Sequence, residues 1–337
     1  MPKYLLPKHI AYTRGLADHI KFNFSDSTAH ALTYEQLCAF SVDELNSILL
    51  SYSPVQGDVL LRQLIINFHQ GLNCHRQTLE ADNAVTFCGA QEALSAVYQA
   101  LLDADDEIIV LTPSYPSLVT MAKTMGVVVK EIALCADNHW QVHIEDFSRL
   151  MTEKTRLIVL NSPHNPTGSI IDSALAEQVL QLAEQYQCYL LSDDVSQASN
   201  YHDLALAHRY LDYSKSIIVG VMSKSLGLAG VRIGWAVTPD DTLLNSLLAI
   251  KAMSSICCSK IDENLASIAL QYSHEIIATN NVIIRDNIAL FSAFINRYKQ
   301  AFSWHPPQAG ILALVEVKNI ASMMAWSNRL VKKKPVY

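Results

Sequence analysis

Between residues 58 and 240 the chain alternates short apolar runs with amphipathic helical stretches, a pattern that few folds accommodate. The runs are AVTF (84–87), EIIVLTP (107–113), VVVKEI (127–132), RLIVLNSP (156–163), CYLLSDD (188–194), SIIVGV (216–221) and RIGWAV (232–237). Most are almost continuously apolar, as strands covered on both faces of a mainly parallel sheet must be. Helical patterns such as QEALSAVYQALL (91–102) and SALAEQVLQLAEQYQ (173–187) separate them. Strands and helices alternating at this length imply βα units and an α/β layered domain.

Outside that region the pattern changes. The first 45 residues are irregular apart from a helical pattern in TYEQLCAFSVDELNSILL. After residue 240 comes a helix-rich stretch to about residue 300, then a strand-like run, GILALVEV (310–317), and a helical pattern, ASMMAWSNRLVKKK. The expected division is an N-terminal segment (1–45) contributing to a small lobe, a large domain (46–245), and a connecting helix with a smaller α+β lobe (246–337).

Composition excludes several functions. At 337 residues, 50% hydrophobic and 17% charged, the chain has enough apolar material for a sizeable core and is not a disordered sequence. Its net charge of -7 argues against nucleic acid as a partner, because phosphate contacts need a basic face. The one basic run, Lys332–Lys333–Lys334, reads as a solvated tail. Seven scattered cysteines, with no CxxC pair and no Cys/His ligand spacing, support neither a disulfide frame nor a metal site. The start, MPKYLLPKHIAYTRG, has Pro and charge where a signal peptide needs an apolar stretch, and no uncharged run approaches a membrane span. A cytoplasmic location without membrane contact is the expectation.

Ligands of open parallel sheets sit at the carboxyl ends of the strands. Polar clusters recur there: Cys88-Gly89-Ala90-Gln91-Glu92-Ala93 after AVTF, Ser114-Tyr115 after EIIVLTP, His164-Asn165-Pro166-Thr167-Gly168 after RLIVLNSP. Asp193-Asp194 end CYLLSDD, and Met222-Ser223-Lys224-Ser225 follow SIIVGV. The strongest signal is SKSLGLAGVRIGW (223–235), where Lys224 follows an apolar strand in a Ser/Gly loop and Arg232 comes eight residues later. A lysine that attacks an aldehyde must lose its proton, so it needs a recess that disfavours the ammonium form. Arginine supplies a fixed fork for a phosphate. A surface lysine in a glycine-rich loop is the bland alternative, and the other clusters weigh against it.

NSPHNPTG (161–168), SDD (192–194) and SKSLGLAGVRIGW, with YSPVQGDVLLRQLI upstream, resemble the class I/II aminotransferases, which are aspartate-aminotransferase-like proteins of pyridoxal-phosphate (PLP) fold type I. The resemblance runs from about residue 50 to 315. It implies a mainly parallel seven-stranded sheet sandwiched by helices, a smaller α+β C-terminal lobe, and pyridoxal 5'-phosphate as cofactor. It also implies the catalytic pair: Lys224 forms the Schiff base and shuttles a proton, and Asp193 pairs with the pyridine nitrogen. Asn165 would donate to the cofactor's 3′-oxygen, and Tyr115 would stack on the ring. Gly89, Ala90, Gln91, Ser223 and Arg232 would seat the phosphate. Tyr52 resembles the residue that reaches the neighbouring subunit's cofactor, which implies a homodimer with shared sites. Asp194, where relatives often have Glu, is expected to be structural.

Two departures stand out. Ser196 occupies the place of a tyrosine that serves the 3′-oxygen, and a raised Schiff-base pKa is expected from the lost donor. The sequence ends at Tyr337, before the stretch in which relatives carry an arginine that clamps the substrate carboxylate, so the small lobe is expected to be incomplete. Arg329, on an amphipathic pattern, reads as a surface residue. His164 could line the cofactor loop, and Cys257-Cys258 reads as packing. The expected function is amino-group exchange between an α-amino acid and a 2-oxo acid. A PLP-dependent lyase, cyclase or racemase on the same scaffold is an alternative, as is a degenerate PLP-binding homologue with little activity. Selectivity would come from Ser25–Thr28, the surroundings of Tyr115 and the partner subunit.

Overall fold

All seven apolar runs become strands of one sheet in the computed structural model, which describes residues 27–41 and 48–333. They are β1 (Ala84–Phe87), β2 (Glu107–Thr112), β3 (Val128–Ala133), β4 (Thr155–Asn161), β5 (Tyr189–Asp193), β6 (Ser216–Val221) and β7 (Gly234–Val237). The order is β1-β7-β6-β5-β4-β2-β3. Pairs β2·β3, β2·β4, β4·β5 and β5·β6 are parallel, whereas β7 lies antiparallel to both β6 and β1. The mainly parallel seven-stranded α/β fold expected of the sequence is therefore present.

Alternate residues of the strands feed opposite faces, as the pleat requires. Ile108, Leu157, Val159, Ile217 and Val219 join one cluster, with Ala93, Leu94 and Val97 of α3 (Ala90–Leu101) and Leu243 and Leu247 of α7 (Asp241–Met253). Ile109, Ile158 and Leu160 pack the other face against α6 (Ser173–Tyr186). Ile218, Trp235 and Val237 on that side meet α2 (Val59–Leu72) and α8 (Lys260–Gln271). Burial on both faces explains why these strands read as unbroken apolar runs. The shorter helices are α1 (Tyr34–Cys38), α4 (Pro116–Thr124) and α5 (Ile144–Ser148).

Beyond the sheet, α9 (Ser273–Arg297) leads to β8 (Phe302–Trp304), β9 (Val315–Val317) and α10 (Met323–Lys333). Strands β8 and β9 form a separate antiparallel pair. The expected strand 310–317 is thus reduced to its last three residues. Gly310 lies at φ 83 and donates its N–H to the Ser199 carbonyl, and Gln308 donates to the Gly168 carbonyl. That edge of the segment is tied to loops of the large sheet and unavailable to a ladder. Arg329 is exposed on α10, as its pattern suggested. Among the described residues no helix is long and apolar enough to cross a membrane, and no group of His, Cys, Asp and Glu is placed to hold a metal.

Candidate active site

The topology gathers the predicted residues at one edge. Strands β2, β4, β5 and β6 run the same way, so the segments carrying Tyr115, Asn165, Asp193 and Lys224 leave the sheet at neighbouring carboxyl ends. Strand β1 runs parallel to β6, because each is antiparallel to β7, and it delivers Gly89 to the same edge. The reversed β7 begins there instead of ending there. Its first residue, Gly234, pairs with Phe87 and with Val221, the last residues of β1 and β6. Arg232, two residues before it, therefore arrives beside both the Cys88–Gly89 turn and the Ser223–Lys224 loop.

Asp193 is the final residue of β5 and is buried, with 4% of its surface exposed. Burial pushes its pKa up to about 7; the Val195 N–H, at 3.4 Å from Oδ1, and the charge of Lys224 draw it down, and Asp194 raises it. Lys224 is half-buried, and its ammonium donates to the hydroxyl of Ser27. The Lys224 carbonyl accepts the Ala29 N–H at 3.2 Å and the Gly227 N–H at 3.0 Å. Gly227 sits at φ +70, and a Cβ there would lie 2.2 Å from the His30 carbonyl oxygen, so residues 29–31 seal the lysine loop only because position 227 is glycine.

At the other end Gly89, at φ +91, precedes α3, and no side chain caps the helix. Ala90 and Gln91 are its first residues, whose N–H groups lack an intrahelical acceptor. Arg232 takes a left-handed φ of 56, is exposed, and donates to the carbonyls of Ala229 (3.1 Å) and Cys88 (3.5 Å). A Cβ on Gly89 would sit 2.6 Å from its Nη2. A helix N-terminus beside a guanidinium is a cradle for a dianion. The Glu92 carboxylate caps the turn from the other side, taking the Cys88 N–H at 2.6 Å and the Ser254 hydroxyl at 3.1 Å.

Asn165 follows β4 on a loop with cis bonds at Ser162–Pro163 and Asn165–Pro166. Its N–H donates to Asn161 Oδ1 at 2.7 Å, and Asn161 Nδ2 donates to the Asp193 carbonyl at 2.9 Å. His164 turns inward: its Nδ1 meets Thr167 Oγ1 at 2.8 Å, and burial lowers its pKa to about 4. Tyr115 is half-buried at the start of α4 and packs against the α3 side of the core. Ser196 is buried in the turn after β5, and Ser223 is half-buried beside Lys224. Asp194 points away from the edge: burial raises its carboxyl, but His208 at 2.9 Å and the Ser192 hydroxyl at 2.5 Å outweigh that and hold it low. Tyr52 is the residue this chain does not bring to the group; it is 83% exposed.

Sequence reasoning assigned no role to three contributors. Asn161 carried a readable signal, a polar residue ending an apolar run. Glu92 lies one residue beyond the predicted cradle. His208 lies on a loop fourteen residues after Asp194, and nothing in its neighbours signals the contact.

The arrangement combines a buried carboxylate facing a lysine, an anion cradle and an asparagine loop. The sequence profile of "Aminotransferase class I and II" matches residues 24–337. The chain belongs to the class I and II aminotransferases. Capreomycidine synthase of Streptomyces vinaceus is 27% identical over 87% of this chain and 75% of its own length. A probable aspartate aminotransferase of Methanocaldococcus jannaschii is 25% identical over 84% of this chain and 75% of its own. A PLP-dependent aminotransferase from Streptococcus suis superposes with a TM-score of 0.89 at 23% identity, covering 99% of this chain and 88% of that one. This aminotransferase-family chain is accordingly an enzyme of the transferase class, and its cofactor is pyridoxal phosphate.

Proposed function

We propose that the enzyme exchanges the amino group of an α-amino acid with a 2-oxo acid, and that Lys224 and Asp193 are its catalytic pair. The observation that carries this reading is the buried Asp193 carboxyl set against Lys224 at adjacent strand ends. Pyridoxal phosphate, when bound, supplies an electron-withdrawing ring that stabilises negative charge on a substrate Cα. Asp193 Oδ would hold a proton on the ring nitrogen; burial pushes its pKa up to about 7, and a cation facing it would draw that down. Gly89, Ala90, Gln91, Ser223 and Arg232 would hold the phosphate. Asn165 would serve the 3′-oxygen, with Ser196 standing where relatives have the longer tyrosine donor, and Tyr115 would cover a ring face. Lys224 Nζ, relieved of its proton, would move the substrate Cα proton between the two carbons concerned.

The domain division at residues 45 and 245 is part of the proposal, as is a homodimer. The dimer is supported by Tyr52, which faces solvent with Leu49, Leu50, Met253 and Ile256. The free state of all seven cysteines is in keeping with a cytoplasmic enzyme. A second reading, a lyase, cyclase or racemase, draws on one observation: the relative at 27% identity is named a synthase.

Absorbance spectra of the purified protein, before and after mixed amino acids, test both. The transaminase converts the cofactor to its amine form with amino acid alone; return of the starting spectrum favours the second reading. Lys224→Ala should abolish the cofactor's protein-bound band, and a band that survives sinks the lysine assignment.

A further inference from the structure

We infer that Asn161 is a positioning residue that locks the Asn165 loop to the end of β5, and so fixes the slot in which a cofactor ring is held. The inference rests on the assignment of Asn165 and Asp193 made above.

Asn161 is the last residue of β4 and is 4% exposed. In the β4·β5 register it pairs with Asp193, and both chains leave the sheet at that point. Beyond it, Pro163 and Pro166 carry no N–H, so the loop has few donors with which to continue a ladder. The remaining bonds of the loop mostly close on the loop itself: His164 N–H to the Ser169 carbonyl and Gly168 N–H to the His164 carbonyl, each at 2.8 Å. The Asn161 carboxamide supplies the connection across the strands. Its oxygen accepts the Asn165 N–H at 2.7 Å, and its nitrogen donates to the Asp193 carbonyl at 2.9 Å.

Both bonds are to main chain, one on each of the residues expected to grip opposite parts of the ring. With both its polar atoms bonded to main chain, the side chain acts through its neighbours. Only a group with donor and acceptor at this separation makes both contacts. Aspartate keeps the acceptor and loses the donor, and alanine loses both.

Asn161→Ala, Asn161→Asp, Asn165→Ala and the Asn161→Ala/Asn165→Ala double variant test the idea by two readouts. The first is the dissociation constant for added pyridoxal phosphate, followed by absorbance. The second is amide hydrogen exchange of the cofactor-free protein over residues 161–168, with the β6 peptide as internal control. Asn161→Ala should weaken cofactor binding by about tenfold or more, in keeping with the cost of losing a partner that orients a binding group. The effect should shrink in the Asn165→Ala background, because residues acting as a unit are not additive. Exchange in the loop should quicken by about tenfold while β6 is unchanged, and Asn161→Asp should restore part of the protection. Additive binding effects, or loop exchange unchanged in Asn161→Ala, overturns the inference. If β6 also quickens in Asn161→Ala, the fold itself has loosened, and Asn161→Asp decides: loop exchange slower than in Asn161→Ala, relative to β6, supports the tether, and equal exchange overturns it. Failure of the wild-type protein to bind pyridoxal phosphate would instead defeat the functional assignment, while the exchange arm still reports on the tether.

Discussion

His69 on α2 accepts the indole N–H of Trp235 at 2.8 Å and is enclosed between that helix and the sheet. Burial lowers its pKa to about 4, with Asp194 working against the shift. His164 is lowered to about 4 by burial, and so is His75, with His208 adding to the effect. A neutral histidine in the fold, free to protonate when unfolded, gives stability that is present above pH 6.5 and is lost as pH falls toward 4. For His69 and His164 the shift from 6.5 to about 4 is worth on the order of 3 kcal/mol each. Asp193 has the opposite slope: its raised pKa removes stability as pH climbs from about 4 to about 7. The cofactor-free enzyme should therefore show a steep acid limb below pH 6.5 in denaturant titrations, blunted by Asp193. His75 offers the cleaner variant, since both its ring nitrogens are buried without hydrogen-bond partners. His75→Leu should shallow that limb and leave neutral-pH stability equal or higher, because no hydrogen bond is lost. An unchanged pH slope in His75→Leu would contradict the assignment of its pKa.

At the scale of elements, the seven strands were legible because burial on both faces writes unbroken apolar runs, and the strand ends were legible because polar clusters interrupt them. Lys224, Asp193, Asn165 and Gly89 could be placed at one edge from that punctuation alone. The direction of β7 could not be read, since RIGWAV is apolar whichever way it runs; yet its reversal is what sets Arg232 beside Gly89. Nor did GILALVEV disclose that its first residue, Gly310, is claimed by the Ser199 carbonyl, and Gln308 just before it by the Gly168 carbonyl, because those partners lie more than a hundred residues away. The β1–α3 turn gives the sharpest element-level prediction. Gly89→Ala combines a φ of +91 with a Cβ 2.6 Å from the Arg232 guanidinium. Residues forced into such backbone cost roughly 1–3 kcal/mol, and the arginine must swing out of the cradle. Thermal unfolding should show the stability loss, and pyridoxal phosphate affinity should fall more than in Arg232→Lys, which keeps the charge but loses the fork. Equal affinity in Gly89→Ala and wild type would show that this turn is not the phosphate seat.

For the whole molecule the telling feature is apolar surface. Tyr52 is 83% exposed, Leu50 77%, Leu49 74% and Met253 89%, and Leu50, Tyr52, Ile256 and Cys258 line one shallow hollow. Val59 and Leu60 of α2 are exposed as well, and Asp58, at the cap of that helix, donates its N–H to Glu263 of α8 at 3.3 Å, which ties the 52–60 segment to the α7–α8 region. Glu92 continues the connection inward, since it holds both Ser254 of that region and the Cys88 N–H of the anion cradle. A monomer seldom leaves so many large apolar side chains in water together. A two-fold partner seated here would cover them, and its own Tyr52 would approach this chain's cradle. The proposal then couples assembly to cofactor binding. Met253→Asp with Leu50→Asp should shift sedimentation from twice the chain mass to the single chain and should weaken pyridoxal phosphate binding, although neither residue belongs to the cradle. Tyr52→Phe should leave the dimer intact and weaken the cofactor alone, because only the hydroxyl is lost. A wild-type monomer with full cofactor affinity would remove the shared site, and with it the reason for Tyr52 to stand in solvent.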